Sequence, residues 1–185
     1  MMPDEVTIES VALPGRIGAF RVTLRDGSIG TIRPAEQTGQ PAWLALPGFT
    51  NLHAHADRAY TVQSFRPRSL ADAVAAAAAA RARFTAADVA ARATRLFERS
   101  VGHGVSRIRT HTDVDPVVEM RSMEGVLTAK RRMGERLDVD IIAFSTSKND
   151  LAEPHACERL ARAVAMGADL IGASLNASAH IAPDR

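Results

Sequence analysis

The chain has 185 residues, 46% of them apolar, enough for the core of one ordinary domain or for a piece of a larger one. Its formal net charge is only +2, and its arginines are scattered through helical segments as solvated faces, so composition gives no case for a nucleic-acid or membrane-surface partner. Cys157 is the sole cysteine and the first residues, Met-Met-Pro-Asp-Glu, carry no basic start or apolar stretch; both features point to a reducing, cytoplasmic setting.

Residues 1–45 read as a β-rich lead-in. Val6-Thr-Ile8 and Phe20-Arg-Val22-Thr-Leu24 alternate apolar and polar side chains, Asp26-Gly27 is a hairpin-type turn, and Ile29 to Ile32 returns the strand. Gly39, Pro41 and Pro47 then break regular structure. Leu44 to Leu52 reads as the first strongly buried strand, interrupted near Pro47-Gly48, and it runs into His53-Ala-His55-Ala-Asp57.

Further along, Ser69 is placed as an N-cap with Asp72 three residues later, and an alanine-rich helix follows; the run Ala71 to Ala80 is too short to span a bilayer. Thr85, with Asp88, caps a second helix whose apolar face is Val89, Ala93, Leu96 and Phe97 and which stops near Gly102 and Gly104. Val105 to His111 is a strand, residues 116–136 a helix with Pro116 in its first turn, and Val139 to Phe144 an apolar strand written for burial on both faces. A helix from about Glu153 to Met166, ended by Gly167, precedes a last strand from Asp169 to Leu175, whose run Leu170-Ile-Gly-Ala173 is also written for burial on both faces.

Strands spaced 30–35 residues apart with a helix between each pair have the rhythm of βαβ units and a parallel sheet. Four such strands make a small open α/β domain or half of a (β/α)₈ barrel. In a strand, residues two apart share a face, so His53 and His55 point the same way, and two neutral imidazoles at a strand end suit a zinc or iron ion. The alternative is two polar residues where a strand meets a loop. His111 and Asp113 close the next strand in the same fashion. His111 alone reads better as a core or loop histidine bonded to backbone, Asp113 reads equally well as a turn or N-cap residue, and Asp115 reads better as one.

The stretch from Leu46 to Tyr60, Leu-Pro-Gly-Phe-Thr-Asn-Leu-His-Ala-His-Ala-Asp-Arg-Ala-Tyr, resembles the first-strand signature of the amidohydrolase superfamily. Residues 57–60 and the segment Ile108-Arg109-Thr110-His111-Thr112-Asp113-Val114-Asp115 are similar to its cytosine-deaminase-like branch. The resemblance implies an α/β fold in which residues 46–185 are the first half of a metal-dependent (β/α)₈ TIM barrel and residues 1–45 are part of a composite β-sandwich. It implies hydrolysis of C–N bonds other than peptide bonds, in cyclic amidines or amides, with a divalent metal (zinc or iron). It makes His53 and His55 metal ligands, and places Asp57, Arg109, His111 and Asp113 in the substrate pocket or behind the ligands.

In that family the remaining ligands and the acid/base residues come from the second half of the barrel, at positions this chain does not contain. No residue here is therefore assigned a catalytic role, and a hydrolase would need the other half-barrel or further copies of the chain. A non-catalytic half-barrel that binds metal weakly is the competing reading. His155 falls at a helix start, as a solvent-facing or capping residue, and His180 is a pocket candidate. Where cytosine-preferring relatives carry a glutamine after the third strand, this chain has Thr146, which offers no amide pair, so cytosine is a poor substrate expectation.

Overall fold

The computed structural model describes residues 5–36, 40–61, 66–145 and 155–173. The chain is mixed α/β and divides into two units, Met1–Pro47 and Gly48–Arg185. Thr146 and His180 lie outside the described residues.

In the first unit, β1 (Glu5–Ala12), β2 (Phe20–Arg25), β3 (Ser28–Pro34) and β4 (Trp43–Leu44) form one sheet in the order β3-β2-β1-β4. Asp26 and Gly27 take φ values of 51° and 74°, the left-handed pair that a tight two-residue hairpin requires. Period-two alternation sorts the sheet into two faces. One is polar: Glu5 pairs with Arg25, the Thr7 and Thr23 hydroxyls meet, and Arg21 donates to Glu9 at 2.8 Å. The other is apolar, with Val6 opposite Leu24 and Ile8 opposite Val22. Ile8, Val22, Leu24, Ile29, Trp43 and Leu44 line a cavity of about 600 Å³ there, and Ile29, Trp43 and Leu44 are more than 60% exposed.

The second unit is a parallel sheet of β5 (Phe49–Ala54), β6 (Val105–Asp113), β7 (Asp138–Ser145) and β8 (Leu170–Ala173), with spatial order equal to chain order. Between β5 and β6 run α1 (Leu70–Arg81) and α2 (Ala86–Gly102); α3 (Arg121–Met133) and α4 (Ala156–Met166) connect the later strands. The caps act as their residue types require: the Ser69 hydroxyl accepts from the Asp72 N–H and the Thr85 hydroxyl from the Asp88 N–H, each at 3.1 Å. Gly167, at φ 117°, ends α4.

One face of this sheet is packed. Ile108, Val139, Ile141 and Ala143 lie against Val89, Phe97, Met123, Val126 and Met133 of α2 and α3, all at 2% exposure or less. The opposite face carries, from β6, Arg107, Arg109, His111 and Asp113, and from β7, Asp140, Ile142 and Phe144. The candidate site residues His111 and Asp113 stand on that second face, at the carboxyl end of β6.

Three sequence expectations change. The apolar run from Leu44 to Leu52 is not one buried strand: Leu44 ends β4 in the first sheet, and Phe49 begins β5 in the second, with Phe49 and Leu52 more than half exposed. Pro47 lacks an N–H, and at Gly48 a Cβ would stand 2.4 Å from the Ser106 hydroxyl, so the chain can break and pass β6 closely only there. The helix expected over 116–136 starts at Arg121, because the Asp115 carboxylate accepts from the Val117 and Val118 N–H groups and Glu119 sits at φ 51°, which holds the preceding residues in turns. Finally, the last strand is not buried on both faces: Leu170 and Ile171 are 43% and 57% exposed, as befits an edge strand.

Helix packing also reverses a usual rule. Glycine in a helix is ordinarily worth replacing by alanine, yet a Cβ at Gly125 would lie 2.5 Å from Val89 Cβ and 2.8 Å from the Ala86 carbonyl oxygen. The first atom belongs to a stiff β-branched side chain and the second to backbone, so neither can yield cheaply. Gly125→Ala is expected to destabilise the chain by about 1–3 kcal/mol, read as a lower thermal unfolding midpoint. An unchanged or raised midpoint would show that α2 and α3 are not this closely packed.

Candidate functional site

Strand pairing decides where the two histidines point. Thr50 stands opposite Arg107 and Asn51 opposite Ile108, but the next partners are Ala54 and Thr110. Three steps along β5 therefore match two along β6, which is a β-bulge. Asn51 pairs in register with Ile108, whose side chain is on the helix-covered face, and simple alternation from that register would put His53 and His55 there too. The extra residue turns them to the opposite face. The Asn51 side chain supports the irregularity by accepting from the His53 N–H at 3.1 Å.

On that face three imidazoles meet. The rings of His53 and His55 are 5.2 Å apart, His53 stacks on His111 at 4.2 Å, and His55 lies 5.5 Å from His111. Phe144 stands edge-on to both His55 and His111, at 6.0 and 5.3 Å. Burial, then the neighbouring Arg58, pushes the His55 pKa down to about 4. His111 is lowered as well, by burial and then by His53, against a hydrogen bond to the Ala54 backbone. Nδ1 of His55 and Nδ1 of His111 are both buried with no hydrogen-bond partner. A neutral, dehydrated imidazole with a free lone pair is a metal ligand in waiting.

Behind the rings lies a charged layer. Asp57 and Asp113 are fully buried. The Asp57 carboxylate accepts from the Asp113 backbone N–H at 3.0 Å, and its second oxygen is without a partner. Burial, and then the nearby Asp113 charge, pushes the Asp57 pKa up to about 7. Asp113 accepts from Arg58 at 2.7 Å and lies 3.3 Å from Arg81, which also pairs with Asp115. Arg92 donates to the Asp57 and Ala59 carbonyls, and the Thr110 hydroxyl accepts from the Ala56 N–H at 2.9 Å. Residues 56–59 are thus held from β6 and α2 at once, and Arg81 at the end of α1 pairs with the same Asp113.

His53, His55, Asp57, His111 and Asp113 come together. Arg109 stands one step down the same face from His111, where it and Arg107 both pair with Asp140. His155 is exposed at the start of α4, paired with Glu158 at 3.0 Å, and makes no capping bond. Sequence reasoning missed Arg58, Arg81 and Arg92 as parts of the site. Arg58 had a signal, since it follows Asp57 inside the quoted motif. Arg81 and Arg92 had none, because nothing local links them to strands that they meet only in the fold.

Among the described residues, no group of three or more His, Cys, Asp or Glu side chains is arranged to hold a metal ion. Two imidazoles of the right chemistry, His53 and His55, nevertheless fit a partial metal site: they share a face and His55 is neutral, with an orphaned ring nitrogen.

Comparison with known proteins finds amidohydrolases and deaminases. The chain is 27% identical over 136 residues, 70% of its length, to the N-isopropylammelide isopropyl amidohydrolase of Pseudomonas sp. (strain ADP), and spans 34% of that protein. It superposes with a TM-score of 0.74 and 27% identity on 5-methylcytosine deaminase from Klebsiella pneumoniae, over 90% of this chain and 43% of that one. The N-isopropylammelide isopropylaminohydrolase of Burkholderia multivorans ATCC 17616 gives 0.71 and 25%, over 92% of this chain and 45% of that one. The chain is amidohydrolase-like. No family model matches it, and it spans less than half the length of these relatives. Their likeness lies in their N-terminal portions, as the signature resemblance implies.

The two shifted groups have opposite consequences for the metal-free chain. The raised Asp57 contributes stability below the ordinary carboxylate range that is lost as pH rises through about 7. The lowered His55 contributes stability above the ordinary imidazole range that is lost as pH falls through about 4. Their slopes cancel between. A direct check is an NMR titration of the metal-free chain, in which the His55 ring is expected to titrate near pH 4. A midpoint at an ordinary imidazole value would show the ring hydrated and the pocket open.

Proposed function

We infer that this chain supplies the metal-holding half of a hydrolase that acts on C–N bonds other than peptide bonds, in cyclic amidines or amides. The observation that carries the reading is the convergence of His53, His55 and His111 at strand ends, on the face opposite the helices. The relatives named above are deaminases and amidohydrolases, which favours a hydrolase over a non-catalytic half-barrel. In this reading Gly48–Arg185 is the first half of a metal-dependent (β/α)₈ barrel, and the lead-in, residues 1–45, is one layer of a β-sandwich whose second layer covers the apolar face around Trp43 and Leu44.

His53 and His55 would hold a divalent ion, zinc or iron. When bound, such an ion lowers the pKa of a coordinated water and so supplies a nucleophile at neutral pH. The chain's own residues do the rest. Burial keeps the His55 ring unprotonated, so no proton must be displaced before it acts as a ligand. Phe144 packs edge-on against the His55 ring, and His111 stacks on His53, which limits the rotation of both rings. Asp113, Arg58 and Thr110 fix the loop that follows the pair. The substrate is a small neutral heterocycle, and Thr146 in place of an amide side chain argues against cytosine itself. The partner is a second half-barrel or further copies of the chain, with no nucleic acid or membrane. Among the described residues no helix is long and apolar enough to cross a membrane, and the setting is the cytoplasm.

The double substitution His53→Ala, His55→Ala tests this directly. It should abolish the zinc or iron that copurifies with the protein, in the full barrel or the complemented chain. Unchanged stoichiometric metal would sink the assignment. The 185-residue chain alone is expected to show no turnover of cyclic amidines, because two histidines leave an ion under-coordinated for catalysis. Metal-dependent hydrolysis by the pure chain would show that its complement of catalytic residues has been misread.

A further inference from the structure

Asp113 sits where four pieces of the second unit meet. Its backbone N–H donates to the Asp57 carboxylate at 3.0 Å, and its own carboxylate accepts from Arg58 at 2.7 Å and faces Arg81 at 3.3 Å. Asp57 and Arg58 belong to the 3₁₀ turn Ala56–Arg58 that follows His55 directly. Arg81 is the last residue of α1, a helix that buries none of its own residues. Asp113 is itself the last residue of β6, two positions beyond His111.

The side chain is fully buried, whereas those of Arg58 and Arg81 are 29% and 14% exposed. A buried carboxylate must be matched by cations or hydrogen bonds, and here two guanidinium groups from different elements share that task. Arg81 also pairs with Asp115, so β6 and the turn after it grip the end of α1 at two points. Asp113 therefore does two jobs through different atoms: main chain to Asp57, side chain to Arg58. Both act on the second and third residues after His55.

We propose that Asp113 is a positioning residue, whose carboxylate, through Arg58 and Arg81, locks the turn after His55 and the end of α1 into the arrangement that presents His53 and His55 to a metal ion. The proposal rests on the metal reading of the two histidines. It differs from a purely structural role in that the effect of losing Asp113 is directed at residues 53–61 rather than spread over the core. Outer partners that orient metal ligands typically change affinity about 10- to 100-fold when removed.

The variant Asp113→Asn removes the charge but keeps the backbone donor to Asp57, and Asp113→Glu is the conservative comparison. Met133→Ala, in the core under α3 and away from the site, serves as a control that destabilises without touching the network. Amide hydrogen exchange over residues 53–61 of the metal-free chain, and the zinc dissociation constant by chelator competition, are the two readouts.

Asp113→Asn should speed exchange in 53–61 at least tenfold more than Met133→Ala does at a matched distance below the unfolding midpoint. It should weaken zinc binding about 10- to 100-fold, with partial recovery in Asp113→Glu. Exchange in 53–61 no faster than in the Met133→Ala control, or zinc affinity within twofold of the parent, would overturn the proposal. If the parent chain takes up no zinc, the metal reading falls while the exchange comparison still decides whether Asp113 holds the turn. Should Asp113→Asn fail to fold, Arg58→Gln breaks the same ion pair from its more exposed side and is judged by the same two readouts.

Discussion

One extra residue in β5, between Asn51 and Ala54, decides which way the two histidines point. Side chains in a strand alternate, and a slip of one residue sends a whole set to the other face. With regular pairing His53 and His55 would follow Asn51 toward the helices, into a core already filled by Val89, Phe97 and Met123. With the bulge they meet His111 and Phe144 instead. The orientation of both histidines depends on that local irregularity.

The bulge also explains why the turn after the histidines needs so much support. A bulged strand loses part of its ladder, so the end of β5 is held by side chains rather than by regular backbone pairing. Thr110, Arg92 and Asp113 take over that role. The result is a layer of buried charge beneath three imidazoles. Lone buried carboxylates are costly. In this layer Asp113 is matched by arginines, while Asp57 relieves its cost by favouring its neutral form. The same burial keeps His55 unprotonated, the state in which an imidazole binds a metal ion.

Much of the fold was readable because its signals are local. Ser69 and Thr85 cap α1 and α2 through hydroxyl bonds to residues three positions on, and Gly167 ends α4 through a backbone angle that glycine adopts freely. The repeating order of strand and helix followed from those boundaries. The site was readable only in part. His53, His55, His111 and Asp113 stand out by residue type at strand ends, but the bulge is a relation between two strands some fifty residues apart and leaves no mark in either. The misplaced start of α3 has a similar cause: Asp115 looks like a helix cap, yet Glu119 takes a left-handed conformation that interrupts the helix. The division of residues 44–52 between two sheets was hidden because Pro47-Gly48 reads equally well as a kink inside one strand. Arg81 and Arg92, which reach the site from helices, carry no local signature at all.

The central claim is that His53 and His55, turned to one face by the bulge, bind one ion together. The chain has six histidines, so ring-nitrogen NMR of histidine-labelled protein titrated with zinc can ask which of them respond. The account predicts that His53 and His55 shift together, at one stoichiometry, while exposed His155 and His103 do not. Shifts confined to His103, His155 or His180, or His53 and His55 responding at different stoichiometries, would contradict it.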